Sequence, residues 1–397
     1  MNKMIQDYDV KTIERANIVS PARVICENPD SMFNYFAWPT VTRLPDGRLA
    51  FYASGMRTRH VCPFGKVTVV YSEDDGATWS KPEILINTPL DDRDAGVAVS
   101  GNRVCLTTFN NTIKFQLGIT ENEPMTPEIK AAAVEYLHSV DAPVAEEKYL
   151  GSLYFISEDG GKTFGEPKKV AVTAPHGPCV LPNGKFFYVG TLYGICDSVT
   201  SNQCDFAQIQ CYIENDDGEF EYFSSLPNIV AEKDELWELA DEPHVIALPS
   251  GRIIVHIRAQ RFIEGKGAAG WEDFTLYQSV SDDGGKTFSV PEPLLPVLGG
   301  APSHLFRHSS GAVISAYGYR EYVDETKPSA VCVLVSRDDG ESWKAYYLTG
   351  CDHSWDMGYP STVELADGSL LTGYYDHDGD GPAVLKQIIW RLEDCPQ

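Results

Sequence analysis

Two repeats interlock along this chain, and their fixed order leaves few folds open to it. The first reads Ser-x-Asp-x-Gly-x-Ser/Thr-Trp/Phe. It occurs at Ser72 to Trp79, Ser157 to Phe164, Ser281 to Phe288 and Ser336 to Trp343, with a degenerate copy at Glu214 to Phe220. Each copy follows a β-rich run such as VTVVY or AVCVLV, so each reads as a turn between two strands. In such a turn the aspartate bonds backbone amides, the glycine takes positive φ and the aromatic packs beneath.

The second repeat is an apolar strand, a turn and another strand, as in WPTVTRLPDGRLAFYAS, EPHVIALPSGRIIVHIR and YPSTVELADGSLLTGYYD. Its turn glycines are Gly47, Gly101, Gly184, Gly251, Gly311 and Gly368. Six such hairpins, each extended by a third strand and usually the aspartate turn, predict an all-β fold: a six-bladed β-propeller spanning residues 1–397 as one domain. The long gap between Gly101 and Gly184 requires an insertion in blade two, at about 119–148. There Thr126 as N-cap and Pro127 at the first helical position predict a short helix over IKAAAVEYLHSV. The last blade lacks an aspartate turn, so a strand around Ile18 to Cys26 is expected to complete it and seal the ring.

With 397 residues, 43% of them hydrophobic, the chain can bury a large core. A net charge of −25 argues against nucleic acid or an anionic membrane surface as partner. No run of eighteen apolar residues predicts a membrane span, and the N-terminus has no stretch apolar enough for a signal peptide, so a cytoplasmic protein is expected. Of ten cysteines, Cys105, Cys179, Cys211 and Cys332 fall in apolar strand-like runs and none forms a C-x-x-C pair, which favours reduced thiols over disulfides or a zinc ribbon.

The aspartate turns and six hairpins resemble the sialidase (neuraminidase) superfamily, in which such turns are called Asp-boxes or BNR repeats. The resemblance covers essentially the whole chain and is more specific for fold than for reaction. It implies a glycosidase with a tyrosine nucleophile assisted by a glutamate, an aspartate acid/base, and three arginines that clamp the substrate carboxylate. By the resemblance Glu242, nine residues before Gly251, takes the place of the glutamate. Arg258 on the next strand takes that of the second clamp arginine, and Tyr359, nine before Gly368, that of the nucleophile. The rest departs from the pattern. Ala37 stands where the first clamp arginine belongs. Blade five opens without an arginine, with Arg320 at the far end of its hairpin as the nearest substitute. The loop expected to carry the acid/base aspartate reads GMRTRHVCPFGK, with Arg57, Arg59 and His60 but no carboxylate.

The inner strands of a propeller begin around one end of its channel, so Trp38, Asp94, His176, Glu242, His244, His304 and Tyr359 are expected to converge on one pocket. A tyrosine hydroxyl, with an ordinary pKa near 10, needs a base such as Glu242 and cationic surroundings such as Arg258. The leaving group needs a proton donor. His60 suits by its intrinsic pKa, unless it is a loop histidine bonded to backbone, and Asp94 suits if desolvated. His176, His244 and His304 are expected to bond sugar hydroxyls, with metal ligation the weaker choice because no local two-His spacing occurs. Trp38 and Tyr193 offer ring faces to a sugar, although aromatics of this kind usually pack in cores. Arg57, Arg258 and Arg320 either pair with Asp94, Asp241 and Glu242 or receive an anionic group of the substrate. The segment Asp376 to Pro382 lacks the glutamate of a calcium loop and reads as a polar turn.

These readings together predict a sialidase-superfamily glycoside hydrolase of carbohydrate metabolism, with no metal or other cofactor. It would act on a terminal sugar of a neutral or anionic oligosaccharide or glycoside, other than an ordinary sialoside. The alternatives are a polysaccharide lyase on uronic-acid glycans and a non-catalytic glycan-binding propeller.

Overall fold

The hairpin glycines and aspartate turns punctuate six sheets arranged as blades. The computed structural model describes residue 5 and residues 8–193, 205–229, 237–262, 271–295, 302–320, 329–353, 356–379 and 381–392. Blade one runs through Tyr35–Arg43, Leu49–Arg57, Lys66–Ser72 and Glu83–Ile86, each strand antiparallel to the next. Blades two, four and five repeat this meander, and blade three splits its inner strand into Val172–Thr173 and Cys179–Val180. Blade six is closed by the other end of the chain. Asn17–Cys26 pairs antiparallel with Ala383–Arg391, from Asn17 opposite Arg391 to Cys26 opposite Leu385. All six hairpin glycines have positive φ, between 58° and 94°.

The four full aspartate turns share one bonding pattern. In the first, Ser72 Oγ donates to Asp74 Oδ1 (2.8 Å) and accepts from Gly76 N (2.8 Å), while Asp74 accepts from the amide and hydroxyl of Thr78. Donors to the ionised carboxylate hold Asp74 down to about 2. The degenerate turn is closed differently. Asn215 Oδ1 accepts from the amides of Asp217 and Glu219, while Glu214 turns inward to pair with Arg103.

The core lies between blades. Phe36 and Phe51 of blade one pack with Tyr375 and Leu385 of blade six, and Phe187 and Val189 of blade three with Val255 and Ile257 of blade four. The seven described cysteines, Cys26, Cys62, Cys105, Cys179, Cys211, Cys332 and Cys351, are free thiols; Cys196, Cys204 and Cys395 lie outside the described residues.

The insertion in blade two is larger than the sequence pattern suggested. It forms three helices: α1 (Ile113–Asn122), α2 (Pro127–Ser139) and α3 (Ala142–Tyr149). The expected helix is α2, with Thr126 Oγ1 accepting from Ile129 N. The other two start from the same kind of cap, Thr112 for α1 and Asp141 for α3. No helix among the described residues is long and apolar enough to cross a membrane.

Candidate active site

Four inner strands carry a non-glycine residue with positive φ: Trp38 at 54°, Asp94 at 58°, Glu242 at 45° and Tyr359 at 48°. Such a conformation costs on the order of 1–3 kcal/mol and persists only where the surroundings enforce it. The cause lies in the ladder. Between Asp241 and His244 the register with the neighbouring strand slips, and it slips again between Ala37 and Thr40, Arg93 and Gly96, and Gly358 and Ser361. Each slip is a bulge that turns one side chain toward the propeller axis. A proline follows three of the four residues, at Pro39, Pro243 and Pro360, and disfavours right-handed helical backbone in the residue before it.

The bulges bring Glu242 and Tyr359 together. Tyr359 Oη donates to Glu242 Oε1 at 2.6 Å. Arg258 bonds Glu242 Oε2 through Nη1, which also lies 3.3 Å from the Tyr359 hydroxyl, and its Nη2 and Nε bond Gln260. Glu242 is therefore not a charge stranded in a strand. It is neutralised by the arginine paired across the ladder from Asp241. Burial, and then the charge of Glu242, raises the Tyr359 hydroxyl well above its ordinary range against the pull of Arg258 and Arg320. Arg320 bonds the carbonyl of Met357 through Nε and Nη2 and sits over the Tyr359 ring, 5.5 Å from its centroid.

Asp94 is 8% exposed, and burial pushes its carboxyl up to about 8, with Glu242 and Asp241 adding to the rise and Arg93 and Arg57 opposing it. At neutral pH it holds its proton. Asp241, bonded by the Glu242 amide and Thr191, is raised to about 6, first by burial and then by Glu242.

Three expectations need correction. Arg57 does not reach toward a substrate: it is fully buried, and its donors go to Asp91 (2.6 and 3.0 Å), Ser54 and the carbonyls of Arg59 and His60. Trp38 offers no face to a sugar, because it is 2% exposed and lies against the guanidinium groups of Arg93 (4.4 Å) and Arg57 (5.0 Å). Tyr193 bonds the Asn110 carbonyl and packs on Phe109, so it fastens a seam between blades two and three.

The channel histidines do converge, beneath Tyr359. The rings of His244 and His304 stack at 4.6 Å, and His176 meets both edge-on, at 5.6 and 5.1 Å. His244 Nδ1 accepts from the Leu305 amide and His304 Nδ1 from the Thr362 amide, while His176 Nδ1 faces Thr40 Oγ1. Burial holds all three neutral, with His304 lowered to about 3. The His176 ring lies 6.5 Å from that of Tyr359, and His244 and His304 line a cavity of about 180 Å³ together with Val41, Val97, Val180 and Ile246. Among the described residues no group of three His, Cys, Asp or Glu is arranged to hold a metal ion. Asp376 of the polar turn, with Asp352, binds Lys386; Asp380 lies outside the described residues.

His60 lies in the loop after the blade-one hairpin and bonds Asp356 (2.8 Å), a buried carboxylate that sequence reasoning missed. Arg93 was missed as well, although it directly precedes Asp94. Its Nη1 bonds the His60 carbonyl and its buried Nε has no hydrogen-bond partner. Neither residue stands at a repeat position; only the fold brings them to the site.

Residues 137–372, more than half of the chain, match the family model of a BNR repeat-like domain. The chain belongs to that family. No curated protein matches it. Its propeller has the fold of solved sialidases. Among solved structures it is similar to a protein of unknown function from Dyadobacter fermentans, at 21% identity, covering 96% of this chain and 100% of that one, with a TM-score of 0.68. The NanB sialidase from Streptococcus pneumoniae aligns at 13% identity over 99% of this chain and 73% of its own, with a TM-score of 0.60. The intramolecular trans-sialidase from Ruminococcus gnavus, solved with oseltamivir carboxylate, aligns at 13% identity over 96% and 98%, with a TM-score of 0.58. At these identities the likeness is one of fold.

Proposed function

We propose that this BNR repeat-like protein is a glycoside hydrolase that removes a terminal sugar through a glycosyl-tyrosine intermediate. The observation that carries the reading is the 2.6 Å hydrogen bond from Tyr359 to Glu242 beneath Arg258. A phenol held protonated by burial becomes a nucleophile when a base removes its proton as the new bond forms. In the first half-reaction Tyr359 Oη attacks the anomeric carbon and its proton passes to Glu242. The bond to the leaving oxygen breaks, and that oxygen takes the proton of Asp94. Asp94 suits this role because it is protonated at neutral pH and turned inward by the same kind of bulge as Glu242 and Tyr359. Water then releases the sugar from Tyr359.

The sugar is a neutral or anionic one other than an ordinary sialoside. Ala37, with no side chain to clamp a carboxylate, is buried in the blade-one strand, and the guanidinium of Arg57 is committed to Asp91. Solved sialidase and trans-sialidase structures of the same fold, one holding oseltamivir carboxylate, support a glycan as partner in general.

The test is hydrolysis of aryl glycosides of sialic acid, uronic acids and neutral sugars by wild type and Glu242→Gln. Release from one glycoside, reduced about 10²–10⁴-fold in the variant, is the expected result. Release from no glycoside in the series by wild type would sink the reading. Formation of an unsaturated uronic product would replace it with a lyase, and glycan binding without turnover would replace it with a lectin-like propeller.

A further inference from the structure

One buried carboxylate collects polar groups from three parts of the ring. Asp356 accepts from Tyr35 Oη (2.8 Å to either oxygen), from Tyr375 Oη (3.1 Å) and from His377 Nε2 (3.0 Å), and it faces His60 Nδ1 at 2.8 Å. Burial alone would raise its pKa. The two imidazoles outweigh that and hold it well below the usual carboxylate range. An ionised carboxylate can only accept, which sets the protons on its neighbours. His377 donates to Asp356 through Nε2 and to the Gly381 carbonyl through Nδ1 (2.7 Å), so both its nitrogens carry protons, and its pKa is raised accordingly.

His60 is in a different state. Around it stand Asp356 and Tyr35 on one side, and Arg57 and Arg93, which both bond its carbonyl, on the other. The edge of Trp38 lies 4.9 Å from its ring. Burial and the two guanidinium groups lower its pKa despite the pull of Asp356, so it is neutral at pH 7. In that neutral ring the proton is on Nδ1, facing the carboxylate, and the lone pair is on Nε2. This is the arrangement by which a carboxylate fixes a histidine as a base. A third of the side chain is exposed. Its position also fits the pocket. Asp356 stands three residues before Tyr359, Tyr375 bonds Asp356 while its ring lies 5.9 Å from that of Tyr359, and Arg93 precedes Asp94.

We infer that acid and base work is divided in this site: Asp94 gives the proton of the first half-reaction, and His60, oriented by Asp356, takes the proton of the second. The inference rests on the glycosyl-tyrosine reading. In the second half-reaction the water oxygen bonds to the anomeric carbon and the carbon–Oη bond to Tyr359 breaks. Tyr359 recovers its proton from Glu242, and the water proton passes to His60 Nε2. Solvent then deprotonates His60 and reprotonates Asp94. Asp356 is a positioning residue, because it acts through His60.

The experiment uses an aryl glycoside with a good leaving group that wild type hydrolyses. His60→Ala is expected to keep the rapid burst of released phenol and to lose about 10²–10⁴-fold in steady-state turnover. Azide, a nucleophile with no proton to surrender, should restore turnover and yield the glycosyl azide. Asp94→Asn should show the complementary pattern, losing its burst only with poor leaving groups. Asp356→Asn should lower kcat and KM together, leaving kcat/KM little changed, and respond to azide as His60→Ala does. Unchanged steady-state turnover in His60→Ala would overturn the inference, as would slow turnover without glycosyl azide. Either result would leave the Tyr359–Glu242 couple standing. If wild type released sugar from no glycoside, the underlying reading would fail instead.

Discussion

Asp94 and His60 show how burial, acting on two residue types, leaves opposite proton states on one wall. Burial raises an acid and lowers a base, so near pH 7 the carboxyl is protonated and the imidazole bare. The sign of the stability effect follows. The Asp94 carboxyl titrates at about 8 in the folded chain against about 3.9 unfolded. Between those values the native state binds the proton and the unfolded state does not, so stability falls as pH rises from about 4 to about 8. Asp94→Asn removes that loss. Its melting temperature should match wild type near pH 4 and exceed it by pH 8–9, by roughly 1 °C per kcal/mol regained. Melting curves across that range check it, and a gap that does not vary with pH would refute it. The wild-type rate on poor leaving groups should fall as pH passes about 8. Glu242, Arg258 and Tyr359 were picked out at this scale by the family resemblance, with their distances from hairpin glycines as the ruler. The burial of Trp38 and Arg57 was not, because their partners Asp91 and Arg93 belong to another blade.

Among the elements, the aspartate turns do more than reverse the chain. Trp79 Nε1 donates to Gln387 Oε1 (2.8 Å), and Gln387 Nε2 donates back to the Gly76 carbonyl (2.9 Å). The same clamp joins Trp343, Gln278 and Gly340. Each ties a blade to the one before it in the ring. The two remaining full turns carry Phe164 and Phe288, which have no such donor. Gly340 has a φ of 82°, and a Cβ there would lie 2.7 Å from Ile254 Cδ1. Gly340→Ala therefore meets backbone strain and a packed neighbour, and should cost about 1–3 kcal/mol. Denaturant unfolding measures this; an unchanged midpoint would count against the clamp. The bulges were only half legible. The Trp-Pro, Glu-Pro and Tyr-Pro pairs stood in the sequence, but the slipped register depends on the neighbouring strand. Helices α1 and α3 were passed over although Thr112 and Asp141 marked their starts. What anchors α1 is tertiary: Gln116 Nε2 bonds Asp91 Oδ2 at 3.0 Å, against the guanidinium of Arg57.

At the scale of the molecule, stability depends on closure. Every blade packs between two neighbours, and blade six gets its outer strand from Asn17–Cys26. Without that strand, Ala383–Arg391 becomes an open edge over a core that includes Trp390 and Ile388. Deletion of residues 1–26 should abolish the cooperative melt and cause self-association, as read by calorimetry and light scattering. A monomeric product melting within a few degrees of wild type would show that the ring does not need this seal.

The ring was readable from the repeats because turns require particular residues locally: glycine for positive φ, aspartate and serine for unpaired amides, and an aromatic to cover them. The closing strand followed by counting, since five blades had their own fourth strand and the sixth did not. That Tyr359 and Glu242 share one pocket followed from the ring, because equivalent positions of a propeller meet at its axis, whereas their pairing as a couple came from the family resemblance. Tertiary structure alone decided which charges are committed and which protons are held. Those properties depend on burial and on partners such as Asp91 and Asp356, which come from distant parts of the chain and leave no local trace.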